Sequence, residues 1–147
     1  MRYTQVDQGR IFVLSLENGD ILHKEVEWFA REKNIAAGAV IAVGGADKNS
    51  ELVVGPEDGT KIPIDPMKYV LDEVHEIAGT GTVFTDEEGN PVLHMHLASG
   101  RNDKTITGCT RNGVIVWKTM EVILFEFVNC SAKRVFDSES GYRLLRP

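Results

Sequence analysis

The sequence predicts an α+β fold, a mainly antiparallel sheet packed by one helix, as a single domain over residues 1–147. Three observations lead there. Short β-rich runs bounded by Gly, Pro, Asn and Asp recur along most of the chain. One segment alone, residues 20–33, carries apolar residues at helical spacing. The last long run, "VILFEFV", is apolar at positions of both parities, so both of its faces are expected to be covered. One helix gives little cover for two faces, which favours an oligomer.

The elements follow in order. "RIFVLSLENGD" opens with a strand over Ile11 to Leu16 and ends in an Asn-Gly-Asp turn, leaving Asp20 as the expected N-cap of the helix. Along that helix Leu22, Val26, Phe29 and Lys33 share a face, with Ile21, Glu25 and Ala30 beside it. His23 reads as a solvated residue of the first turn, and Trp28 as packing for the helix. "AAGAVIAVGGA" and "SELVVGPEDG" read as strands closed by turns. "YVLDEVHEIAGTGTVF" reads as one or two strands, broken or bulged at Gly79 and Gly81. The turn "TDEEGN" leads into the strand "PVLHMHLAS"; "TITGCT", "VIVW" and "MEVILFEFV" complete an antiparallel meander.

Composition narrows the function classes. Hydrophobic residues make up 42% and charged residues 26%, ordinary for a globular protein. No run approaches the roughly 20 apolar residues of a membrane helix, and the opening "MRYTQVDQGR" is too polar for a secretory signal. A cytoplasmic location is expected. Two cysteines, Cys109 and Cys130, are too few for a disulfide framework, and each reads first as a buried thiol. Net charge is −6, and the basic segments "SAKRVF" and "YRLLRP" hold two cations each. That disfavours direct nucleic-acid binding. A role on DNA through a partner stays open.

The chemistry concentrates in "VLHMHLA". Side chains alternate across a strand, so Leu93, Met95 and Leu97 form a core face. His94 and His96 then point away from it, side by side, roughly 6–7 Å apart by strand rise. If "SGRNDK" closes a hairpin with Ala98 opposite Thr105, His96 faces Thr107 and His94 faces Cys109, while Ile106 joins the core face. Two imidazoles and a thiol on one sheet face suit zinc or a similar divalent transition metal, which takes nitrogen and sulfur donors tetrahedrally. Three protein ligands would leave a fourth position open. The plainer reading makes both histidines polar side chains on a half-exposed strand. His75 is a further donor only if a bulge at "GTG" or a neighbouring subunit brings it in.

These segments in their order resemble the PPC domain (plants and prokaryotes conserved), found also in plant AT-hook nuclear proteins. The resemblance runs through "RIFVLSLENGD", "AAGAVIAVGGADKNSELVVG", "EVHEIAGTGTVF", "GNPVLHMHLASG", "TITGCTRNGVIVWKTMEVIL" and "SGYRLLRP". It implies an α+β domain assembled as a homotrimer. In many prokaryotic members a Gly-Gly-His-Leu segment follows the His-x-His strand, and its histidine joins the pair around a metal. This chain has Thr107-Gly108-Cys109-Thr110 there, so a thiolate stands where the family has an imidazole. The plant proteins bind DNA through a separate AT-hook, which this sequence lacks. The family label of DNA binding is therefore not carried over.

Two function classes follow. One is a trimeric metal-binding domain of His94, His96 and Cys109, serving small-molecule binding or metal-assisted hydrolysis with Glu76 or Glu121 as base by family position. The other is a non-catalytic protein-interaction or DNA-associated regulatory module, with Glu73 to Ala78 as a contact surface. No phosphate-binding glycine loop is present, since "VGGADKNS" lacks the spacing and the lysine position.

Overall fold

The structure is a computed structural model describing residues 1–147. Strand β1 (Asp7–Glu17) leads into the helix α1 (Leu22–Glu32). There follow β2 (Ala37–Ala46), β3 (Glu51–Pro56), β4 (Pro66–Val70), β5 (His75–Thr85), β6 (Pro91–Arg101), β7 (Lys104–Cys109) and β8 (Val116–Val128). A hairpin of β9 (Lys133–Asp137) and β10 (Tyr142–Arg146) ends the chain. The first eight strands form one sheet in the order β1-β8-β2-β5-β6-β7-β3-β4, with every pairing antiparallel.

The mainly antiparallel sheet with one short helix is as expected, but the path is not a simple meander. Strands β5, β6 and β7, and the pair β3 and β4, run as consecutive neighbours in space; β8 returns across the sheet to lie between β1 and β2. The final hairpin falls on segments that sequence reading treated as weak basic patches.

Helix α1 starts beyond Asp20, which is not its cap. The Asp20 carboxylate instead accepts the Glu17 N–H at 2.8 Å, closing the turn after β1. Ile21 occupies the cap position with no side-chain bond, and the Leu22 N–H donates to the Val114 carbonyl at 3.0 Å. A strand lead-in thus satisfies a donor that a polar cap would otherwise serve. Leu22, Val26 and Ala30 are buried, and Phe29 meets Phe12 edge-on at 5.1 Å. Trp28 does not pack: it is 55% exposed. His23 is half-buried rather than solvated, with an enclosed Nδ1 that has no partner. Burial pushes its pKa down, against the pull of Glu27.

The helix covers one face of the sheet, where Leu93, Met95 and Leu97 of β6 join Val40, Ala42, Val122 and Leu124 in the main core. The other face is closed only at one end, where Cys130 and Ala132 lead into the hairpin beside Phe84. Towards β1 and β2 it is open, with Val13 80%, Val43 46% and Ile41 42% exposed. The full cover expected for "VILFEFV" is therefore absent within one chain: Val122 and Leu124 are buried, Ile123 and Phe125 half-buried.

A bulge in β1 ties sheet to helix. Register shifts between Gln8 and Ile11, and the Arg10 backbone N–H and guanidinium both donate to the buried Glu126 carboxylate, at 2.7 to 2.9 Å. Arg10 Nη2 also donates to the Lys33 carbonyl at the helix end. Gly9 permits the approach, since a Cβ there would sit 2.7 Å from the Glu126 carboxylate. The hydrogen bonds from Arg10 outweigh burial and hold the Glu126 carboxyl below the usual carboxylate range. A depressed native pKa adds stability above the unfolded value, near 4.3, and loses it as pH falls through the native value. Arg10→Met is expected to lower Tm at pH 7 and to flatten the decline in Tm below about pH 4.3. Thermal melts of both proteins between pH 7 and pH 3 that run parallel would remove this role.

Candidate metal centre

Strand β6 alternates as its sequence demands. Leu93, Met95, Leu97 and Ser99 are buried towards the core, and His94 and His96 stand exposed on the opposite face. The β6–β7 register differs from the expected one by two residues: Ala98 pairs Thr107, and His96 rather than His94 pairs Cys109. The strands run on to Arg101 and Lys104, so the turn is only Asn102-Asp103, with Asn102 left-handed at φ 53°. A slip of two preserves parity. Cys109 therefore still arrives on the histidine face.

One donor atom from each of His94, His96 and Cys109 lies within 4.8 Å of the other two. The two Nε2 atoms face each other at 3.2 Å. Donors around a tetrahedral zinc ion, at its usual bond lengths, stand about 3.3–3.8 Å apart. The imidazole pair, at 3.2 Å, is already near that spacing, and the sulfur needs to close by no more than roughly 1 Å. Burial, then the charges of Arg134 and Arg111, pushes the His94 pKa down, which favours the neutral imidazole a metal needs. The donor set fits a zinc-type ion.

Other expected residues do not join. His75 lies on the core face, buried, with Nδ1 2.8 Å from the Glu73 carbonyl oxygen. No bulge carries it across, for β5 keeps an unbroken register with β2 and β6 through Gly79 and Gly81. Those glycines serve close packing instead: a Cβ on Gly81 would meet Met95 Cβ at 2.6 Å and the His94 carbonyl at 2.7 Å. Glu76 pairs Gly100, four residues along β5 from the His96 partner Thr80, or about 13 Å by strand rise. Glu121 lies on β8, three strands from β6 and thus about 14 Å away. Neither carboxylate is beside the donors.

The sequence reading missed a group of arginines. Arg111, two residues after Cys109, donates from Nε to the Cys109 sulfur at 3.2 Å. Arg134 of β9 is buried and donates to Thr82 Oγ1 at 2.9 Å. Arg143 of β10 lines the same cleft as His94. The signal lay in "SAKRVF" and "YRLLRP", but only the hairpin fold gathers these cations around the histidines.

The model of the Plants and Prokaryotes Conserved domain, abbreviated PCC or PPC, matches residues 3–128. The chain belongs to the PPC domain family. The hairpin that ends this PPC domain lies beyond the matched residues. A metal-containing protein of Archaeoglobus fulgidus shares the fold at 26% identity and TM-score 0.84, over 100% of both chains. A plant- and prokaryote-conserved protein of Pyrococcus horikoshii shares it at 18% identity and TM-score 0.79, again over 100% of both. A Bacteroides thetaiotaomicron protein provisionally labelled DNA-binding matches at 19% identity and TM-score 0.76, over 97% of this chain and 98% of that one. In sequence, 135 residues are 30% identical to the bifunctional protein GlmU of a Synechococcus strain, covering 90% of this chain and 20% of that protein. The PPC domain thus spans about a fifth of that relative's length.

Close packing of β5 on β6 should be sensitive to one methyl group. Gly81→Ala is expected to cost about 1–3 kcal/mol, the usual penalty of overpacking, and to move the His94 and His96 imidazole NMR resonances. A variant with unchanged Tm and unchanged imidazole resonances would show that the glycine does not position the strand.

Proposed function

We propose that this PPC domain is a metal-binding protein in which His94, His96 and Cys109 hold a zinc-type divalent ion and the chain assembles as a homotrimer. The observation that carries the reading is the convergence of two imidazole nitrogens and one sulfur within 4.8 Å on one sheet face. The metal-containing A. fulgidus relative, at 26% identity, supports it. Cys109 replaces the imidazole expected from the family with a softer donor, which suits zinc and disfavours magnesium or calcium.

The exposed strip of Val13, Ile41 and Val43 supports an oligomer, because contiguous apolar area of this kind marks an interaction surface. A bound zinc-type ion would supply Lewis acidity towards an oxygen ligand. Glu76 lies four residues along the neighbouring strand from the donors and Glu121 three strands away, so small-molecule binding is favoured over hydrolysis. Free Cys109 and Cys130 suit a reducing, cytoplasmic setting. No helix is long and apolar enough to cross a membrane.

A DNA-associated role is the second reading, favoured by the label on the B. thetaiotaomicron neighbour. Net charge of −6 opposes direct binding. A gel-shift series at low and moderate salt is expected to show no retention of duplex DNA; retention that weakens with salt would favour the second reading.

Elemental analysis of purified protein is expected to give about one zinc-type ion per chain, and less than about a tenth of that after His94→Ala/His96→Ala. Cobalt-loaded protein should show a sulfur-to-metal charge-transfer band that Cys109→Ser abolishes. Near-zero metal in both proteins would remove the reading. Light scattering should return three times the 16.3 kDa chain mass, and a monomer mass would remove the trimer.

A further inference from the structure

The β9–β10 hairpin lies over the start of β6 and leaves a cleft of about 620 Å³ that ends at His94. That volume is within the usual range of small-molecule sites, about 300–1,000 Å³. Arg111, Arg134 and Arg143 line it, together with Phe136 and Tyr142.

The charge in this cleft is not balanced. Arg134 is only 5% exposed, its Nε is enclosed with no acceptor, and its one side-chain bond goes to a neutral hydroxyl. A guanidinium does not lose its proton in a protein, so burying one calls for a counter-charge. None of the chain's ion pairs involves Arg134 or Arg111, and Arg143 reaches Glu88 only at 3.9 Å. Arg111 has only the Cys109 sulfur as a side-chain acceptor, so the three guanidiniums meet one carboxylate, Glu88, and that at long range. Burial and then Arg111 pull the Arg134 pKa down, against a smaller upward pull from Cys109.

We infer that this cleft binds an organic oxyanion: a carboxylate or phosphoryl head on an apolar or aromatic body. The planar fork of arginine matches both heads in bidentate geometry. Arg134, buried in the cleft wall with an unpartnered Nε, carries the charge that the head would offset. Phe136 and Tyr142, the latter 5.0 Å from the Arg111 guanidinium, give the body a surface to lie on. The cleft names a ligand class for the centre proposed above and rests on that reading for its His94 wall alone. Its cationic side comes from β9, β10 and the turn after β7.

Calorimetric titration of the full chain, as purified and after chelator treatment, tests this with phenyl phosphate, benzoate, inorganic phosphate and neutral phenol. Phenyl phosphate or benzoate should bind at least tenfold more tightly than phenol, and Arg134→Met should weaken that binding at least tenfold with metal content unchanged. If Arg134→Met does not fold, Arg143→Ser, whose side chain is 46% exposed, carries the comparison with a loss of at least threefold. Organic anions that bind no better than phenol, or equally well to wild type and the folded variants, would overturn the inference. Metal present without anion binding sinks the cleft alone. Anion binding that needs the arginines in a protein that takes up no metal sinks the metal centre alone.

Discussion

The packing of Leu93, Met95 and Leu97 beneath α1 is the constraint on which the rest depends. All three are buried in the core that the helix covers. Once they face inward, strand alternation leaves His94 and His96 nowhere to go but the opposite face. Neighbouring elements reinforce that commitment. Gly81 lets the β5 backbone close on β6, and Glu27 of α1 accepts the Leu93 N–H at 2.9 Å. A polar helix residue therefore takes a donor on β6 just before the first histidine, beyond the last pairing of β6 with β7.

Electrostatics around the histidines runs opposite to that of the whole chain. Net charge is −6, yet three arginines meet at the cleft beside His94. Their contributions come from separate places: the turn after β7, strand β9 and strand β10. Charge at close range in a partly desolvated cleft matters more than distant surface carboxylates, which solvent and salt screen. The overall balance therefore speaks to binding of a phosphate polymer along the surface. It says little about a small anion in one cleft.

The sheet treats its two faces differently. One is sealed by α1; the other is closed by the terminal hairpin near Phe84 and left apolar across β1 and β2. The family match ends at residue 128, before that hairpin begins. The donor triad thus sits within the matched domain, whereas Arg134 and Arg143 lie outside it.

Alternation determined the facing of β6 from sequence alone, because burying three long apolar side chains on one parity leaves a single choice. It also brought Cys109 to the histidine face despite a register two residues out, since a slip of two keeps parity. The helix was legible from the stripe of Leu22, Val26 and Ala30. Only the tertiary structure decided the cap at Ile21, because the Asp20 carboxylate could serve either a turn or a helix and Val114 supplied the alternative acceptor. It also decided that Gly79 and Gly81 are contact points rather than a bulge, for a glycine's lack of a side chain suits both. The arginine cleft was beyond local reading for a similar reason. "SAKRVF" and "YRLLRP" carry charge but no long-range address, and only their pairing as a hairpin over β6 sets those cations beside His94.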